Sequence, residues 1–429
     1  MNRRFQKGIY FRNEPFHFVS KDESPNDSFA ILFVRVSSTA PTNRISEELG
    51  SLWNIYKDLG KGKIIHLPGC IVPSGQLSVL IGFGPTLFSI RGIERKIPRD
   101  FKDKQFLPPI GGAPVIHDSG IKYSHFQHEN LGTTQHIGIQ FTSKTQLATY
   151  RAVVETWKYL SNIEPSKRIL NFTEFFTGFQ RDDSRSWLGF HDQVSNIDTL
   201  NERKEAIFIN RGNNNLVPRD FWTEGGTYLA FLRTAINLEI WEKIEQKQQE
   251  IIIGRDKLTG IPLAGIDKKG NPVTTERCPP VSEIRAYDKR FHDHPDYFSK
   301  PQLSKMNGVD ESASIQRLSQ SHIGRVRHVN HLRAGNTASR RIFRQGFDFI
   351  QPIYNNSTMK LIVGLNFVSF QNDPGRLFFI LTDPNWLGNT NFGGAGQIYG
   401  IDDLLSVLAA GVFFVPPDEK PFPGASIFE

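Results

Sequence analysis

Short apolar runs of strand length alternate along this chain with stretches of helical periodicity, and that order restricts the fold to one mixing helices and sheets. SFAILFVRV (28–36) has the length and apolar density of a buried strand. After it, Ile45, Leu49, Leu52, Trp53, Tyr56 and Leu59 recur at helical spacing, and Gly60 suits a C-terminal cap. LSVLIGFG (77–84) and HIGIQFTS (136–143) read as strands, and 147–160 as a second amphipathic helix. An antiparallel sheet is the economical way to close such an order.

The second half repeats the theme. GGTYLAFLR (225–233) reads as a strand, 238–248 as a helix, KLIVGLNFVSF (360–370) and RLFFIL (376–381) as strands, 402–408 as a short helix and GVFFV (411–415) as a final strand. Two similar α+β halves are expected, without an identifiable sequence repeat. The expected division is an arm at 1–25, an N-terminal domain at 26–195 and a C-terminal domain at 196–429. Stretches 98–135 and 264–320 match no element, and irregular stretches of that length usually cover a site or move.

A chain of 429 residues can bury two cores, and 38% hydrophobic with 22% charged residues is ordinary for a globular protein. Cys70 and Cys278 are the only cysteines, which excludes a disulfide framework and CxxC redox or metal motifs, and fits a reducing compartment. Arg3 and Arg4 near the N-terminus imitate an export signal, but no apolar core follows them, so a cytoplasmic location is expected. No run approaches the roughly 18 apolar residues of a membrane span. The net charge of +7 is spread among acids and accompanies no recognisable nucleic-acid motif, so neither nucleic acid nor membrane is an expected partner.

The chemistry concentrates in SHIGRVRHVNHLRAGNTASRRIFRQGF (321–347), where histidines adjoin a dense arginine cluster. A neutral imidazole is a good axial ligand for haem iron, and an arginine on the opposite face can stabilise charge as a peroxide O–O bond breaks. Basic runs are also common on solvated faces. Four more segments bear on the choice: LSVLIGFGPTLF (77–88), GFHDQVSN (189–196), EGGTYLAFLRTAINLEIWE (224–242) with IIIGRDKLTGIPL (251–263), and GLNFVSFQNDPGRLFFI (364–380). Together, and in this order, the five resemble segments of the dye-decolorizing peroxidases.

The resemblance implies two ferredoxin-like domains with antiparallel sheets, a dimeric α+β barrel-like architecture, and haem b (iron protoporphyrin IX) as cofactor. It implies a peroxidase that uses hydrogen peroxide and an organic electron donor such as a dye or phenol, with the oligomeric state open. His322, in His322-Ile323-Gly324-Arg325, matches the proximal haem ligand, and Arg325 a basic position that can pair with a haem propionate or lie in solvent. His328 and His331 match nothing in the motif and read as surface residues. Asp192 in Gly189-Phe190-His191-Asp192 matches the distal acid and base of a GxxDG motif; otherwise it is an aspartate capping a turn. Arg344 matches the distal arginine, with Arg340 and Arg341 as competitors, and Leu365 and Phe367 match apolar residues lining the distal face.

Two departures stand out. Gln193 replaces the last glycine of GxxDG, and Gly411 aligns with a strand acid that would hydrogen-bond the proximal histidine, a role open to Asp402 or Asp403. They favour a rival reading as a haem carrier or sensor with little peroxidase activity. A scaffold without cofactor is a third.

Overall fold

The computed structural model describes residues 6, 27–64, 66–103, 135–181, 183, 185–192, 196–197, 200–212, 214, 216–261, 263, 321–322, 342–355, 358–377 and 404–429. Eight strands close into a barrel in the order β1-β3-β2-β8-β5-β7-β6-β4. The first four are β1 (Ser28–Val36), β2 (Ser78–Phe83), β3 (Ile137–Ser143) and β4 (Leu170–Phe179). The last four are β5 (Thr227–Ile236), β6 (Phe343–Asn355), β7 (Thr358–Gln371) and β8 (Leu405–Val415). Each half runs fourth, first, third, second across its antiparallel sheet, the ferredoxin-like order. The two sheets meet at narrow seams, Phe83 opposite Phe414 and Phe179 opposite Asp348.

The uninterrupted apolar character of β1 follows from burial on both faces. Phe29, Ile31 and Phe33 point into the barrel, whereas Ala30, Leu32, Val34 and Val36 pack outside it in the core shared with two helices. Those helices are α1 (Thr42–Leu59) and α3 (Gln146–Ser161); α2 is the short Arg99–Asp103. Ile45, Leu49, Leu52, Tyr56 and Leu59 of α1 are buried as their spacing predicts, and the Tyr56 hydroxyl lies 2.9 Å from Thr156 Oγ1 of α3.

The barrel interior is a phenylalanine cluster drawn from both halves. Phe29 stacks on Phe347 at 4.4 Å between centroids, and Phe33 meets Phe176, Phe231 and Phe413 at 6.1, 5.8 and 5.7 Å. Phe33 therefore touches β4 of its own half and β5 and β8 of the other. Its replacement by alanine should destabilise the fold by about 3–5 kcal/mol, visible as a lower urea midpoint; a change below about 1 kcal/mol would mean that the interior collapses around the gap.

Several expected elements are corrected. Strands β4 and β6 were not anticipated, the helix expected at 238–248 is two short helices, α5 (Leu238–Trp241) and α6 (Gln246–Ile253), and 405–408 extends β8 instead of forming a helix. Arg376 and Leu377 are helical, not the start of a strand. A further helix, α4 (Leu200–Ile207), follows the GFHD loop. Among the described residues no helix is long and apolar enough to cross a membrane.

Candidate functional site

Strand pairing sorts the second sheet into two faces. Phe343, Phe347, Val368 and Phe370 join the interior cluster, so Arg344, Gly346 and Asp348 face outward from β6, opposite Ser369, Phe367 and Leu365 of β7. The same outer face continues with Leu232 and Ala230 of β5 and Ala410 and Val412 of β8. It is a broad apolar shelf bordered by one basic and one acidic residue.

The loop bearing Asp192 reaches this border because three glycine-dependent or polar contacts bend it there. Gly189 turns the loop with φ +87°, and a Cβ at that position would lie 2.6 Å from Lys257 Cε. Arg185 then ties the loop to the turn after α6, donating to the carbonyls of Gly189, Lys257 and Leu258 at 2.6, 2.7 and 2.8 Å. Its guanidinium also stands 3.0 Å from His191 Nε2, and because arginine has no acceptor, the ring nitrogen accepts. Burial first and Arg185 second hold His191 below the ordinary imidazole range, so the ring is neutral. The turn itself is closed by Asp256, whose Oδ1 accepts from the Thr259 amide and hydroxyl at 2.6 Å each, and by Arg255 donating to Gly260 at 2.7 Å. Segment 251–263, singled out in the sequence, is thus the bed on which the GFHD loop rests.

Asp192 arrives directly over Gly346. A Cβ on Gly346 would lie 2.6 Å from Asp192 Oδ2 and 3.2 Å from Leu365 Cδ1, so any side chain there would evict the carboxylate. Arg344, half-buried, is two residues along the same strand face, about 6.6 Å at strand rise. Asn196, the last residue of the GFHDQVSN segment, fixes that stretch of β6: its Oδ1 accepts from the Arg344 amide at 3.0 Å and its Nδ2 donates to the Arg344 carbonyl at 2.7 Å. The structure therefore brings together Asp192, Arg344 and Leu365, with Phe367 next on the shelf and, like Leu365, half-buried.

Asp348 is the site residue that the sequence reading missed. It is 5% exposed, on the same face as Arg344 and Gly346, and its Oδ1 has no hydrogen-bond partner among the described residues. Burial, and then the charge of Asp192, raise its carboxyl to about 7, against the opposing pull of Arg181. Strict alternation in FRQGFDF was the available signal, since it puts Arg, Gly and Asp on one side and Phe, Gln, Phe and Phe on the other.

His322 is half-buried beside Ser321, which is 1% exposed. No described contact joins it to Asp192 or Arg344. Arg325, His328, His331, Arg340, Arg341, Gln193, Asp402 and Asp403 lie outside the described residues. Gly411 requires a correction. It pairs with Phe231, and its strand neighbours Ala409 and Phe413 belong to the interior cluster, so position 411 faces into the barrel and not onto the shelf. An acid there would be buried among phenyl rings; on this part of β8 the outward residues are Ala410 and Val412.

Residues 183–420 match the model of the Dyp-type peroxidase C-terminal domain, more than half of the chain. The chain belongs to the Dyp-type peroxidase family. Curated relatives named deferrochelatase, from Escherichia coli and Shigella flexneri, are 27% identical over 235 residues; the match spans 54% of this chain and 43% of their length. Among solved structures, ferric DtpA from Streptomyces lividans superposes with a TM-score of 0.61 at 18% identity, covering 94% of this chain and 92% of that one. A DyP-type peroxidase from Cellulomonas bogoriensis gives 0.60 at 17% identity, covering 94% and 93%, and a Rhodococcus jostii DypB variant in complex with heme gives 0.57 at 15%, covering 92% and 94%. These likenesses establish the two-sheet ferredoxin-like barrel.

Proposed function

We propose that the protein is a haem-dependent peroxidase that reduces hydrogen peroxide and oxidises organic donors such as dyes or phenols by one-electron steps. The observation that carries this reading is the seating of the Asp192 carboxylate over Gly346, on the strand face that bears Arg344 and beside the apolar shelf. A flat macrocycle suits such a shelf, which is built from Leu232, Ala230, Ala410, Leu365 and Phe367. The missing Cβ at Gly346 leaves room for a carboxylate at its rim. The named ligand of the Rhodococcus neighbour, heme, supports haem b as the group bound here.

In this reading His322 would hold the haem iron and Arg325 a propionate, and Leu365 and Phe367 would line the pocket beside Asp192. Bound haem would supply an iron centre able to accept oxidising equivalents from peroxide and pass them on one electron at a time. Asp192 takes the proton from one peroxide oxygen and returns it to the other, which leaves as water. The fixed charge of Arg344 stabilises the negative charge that develops on the leaving oxygen. The proposed location is the cytoplasm, supported by the exposed free thiol of Cys70.

Reconstitution with haem followed by mixing with hydrogen peroxide tests the reading. A Soret band that changes rapidly with peroxide, with turnover of a phenolic or dye donor, is expected. A stable Soret band indifferent to peroxide would make the protein a haem carrier or sensor, and no band at all a scaffold.

Arg185 supplies a prediction that separates loop placement from cofactor binding. Arg185→Ala removes the ties to Gly189, Lys257 and Leu258, so haem uptake should persist while the peroxide reaction slows by about 10- to 100-fold, as Asp192 drifts from its seat. Unchanged peroxide kinetics would show that the glycine turn alone places Asp192.

A further inference from the structure

Two carboxylates, one from the loop between β4 and α4 and one from β6, converge on one apolar strand face. Asp192 sits over Gly346, and Asp348 is the next outward residue of β6, about 6.6 Å further along the strand. Leu365 stands opposite Asp348 and within 3.2 Å of where a Gly346 Cβ would lie, so the space between the acids is walled by a hydrocarbon side chain. Beyond Asp348 the face is closed by the β4 seam. Phe179, opposite Asp348, packs edge-on against Trp187 at 6.4 Å, Arg181 lies 4.9 Å over that indole, and Gln180 Nε2 donates to the Gly346 carbonyl at 3.4 Å.

The charged groups acting on Asp348 are Asp192 from the loop and Arg181 and Asp183 from the segment after β4; Arg344 lies on the same strand face, four residues away. Arg181 is committed to Asp183 through two hydrogen bonds of 2.9 and 2.6 Å, which leaves it a poor neutraliser of a third carboxylate. From β7 the residue opposite is the apolar Leu365. A second anion beside the Asp192 carboxylate on an apolar face is costly, and the cost falls on Asp348, the more buried of the two.

We propose that Asp192 and Asp348 form a carboxyl pair in which Asp348 carries a proton at neutral pH. The role rests on the peroxidase reading; the proton pair does not, because it is a property of the folded chain alone. Asp348 is a positioning residue for charge: while it is neutral, it adds no second anion to the strand face on which the Asp192 side chain sits. The burial of Asp348 and the push of Asp192, which raise its carboxyl to about 7, agree with the proton residing on Asp348.

The linkage has a definite sign. A carboxyl whose proton is held more tightly in the folded than in the unfolded chain makes stability fall as pH rises from the ordinary carboxyl range to about 7, with the full loss above it. Aspartate-labelled infrared titration of the full chain, without added haem, should show a protonated carboxyl disappearing near pH 7. Asp348→Asn should abolish that signal and raise the melting temperature more at about pH 8 than at about pH 5. Asp192→Asn should move the titration down by about one unit. That second variant decides the matter even where the first folds poorly. With haem bound, an inflection near pH 7 in the peroxide rate should vanish in Asp348→Asn. The pair is refuted if no aspartate titrates near neutrality, or if Asp192→Asn leaves the midpoint unmoved. A titrating pair in a chain that takes up no haem would refute the peroxidase reading and leave the pair standing.

Discussion

Replacing His322 with alanine is expected to abolish stable haem binding. In the proposed reading His322 would hold the haem iron, and without that bond only weaker contacts would retain the group. The measurement is the haem complement of the purified variant and its Soret spectrum, with free imidazole added as a second arm. Recovery of the band with imidazole would show that the pocket persists and that only the ligand was lost. A variant with a normal spectrum and full haem content would move the ligand elsewhere, to one of the other histidines of the segment 321–347.

Arg344→Leu should retain haem and slow the reaction with hydrogen peroxide by about 10²–10³-fold, the usual cost of removing one preorganised donor from a site where charge develops. The position is suited to this test because Asn196 holds the backbone of residue 344 through its amide and carbonyl, independently of the side chain. Leucine therefore inherits the placement but not the charge. Stopped-flow rates at several peroxide concentrations separate the two effects: a lower second-order constant with intact Soret absorbance is the expected result. Unaltered kinetics would transfer the role to Arg340 or Arg341, or remove it.

The elements most legible in the sequence are those whose neighbours leave a one-dimensional trace. β1 is apolar without a break from Phe29 to Val34 because both of its faces are covered, and α1 shows its buried stripe because only one side meets the sheet. β4 and β6 left weaker traces. LNFTEFFTGF puts Phe175 and Phe179 on the exposed side, and FRQGFDFIQPIYN carries Arg, Gln, Asp and Pro within one strand, so neither reads as an apolar run. The segment 402–408 has apolar residues at spacings a helix could use, but pairing of Leu405 and Ser406 with Ile236 and Ala235 of β5 overrides that local preference.

The same division holds for the site. Asp192, Arg344, Leu365 and Phe367 could be named from motifs, and their types already specify an acid, a cation and an apolar wall. The face each occupies could not be read with the same security, as Gly411 shows: a strand side chain alternates sides at every residue, and only the partner strand reveals which parity faces inward. Asp348 makes the point most sharply. By sequence alone it is an ordinary aspartate in a basic neighbourhood, with no reason to keep a proton near neutrality. Its proton affinity is decided by burial at the β4 seam and by a carboxylate from a distant loop, and both exist only once the two sheets have closed into one barrel. Residue types and periodicity are local properties of a chain, whereas desolvation and the field of a neighbouring charge depend on distances that tertiary folding alone sets.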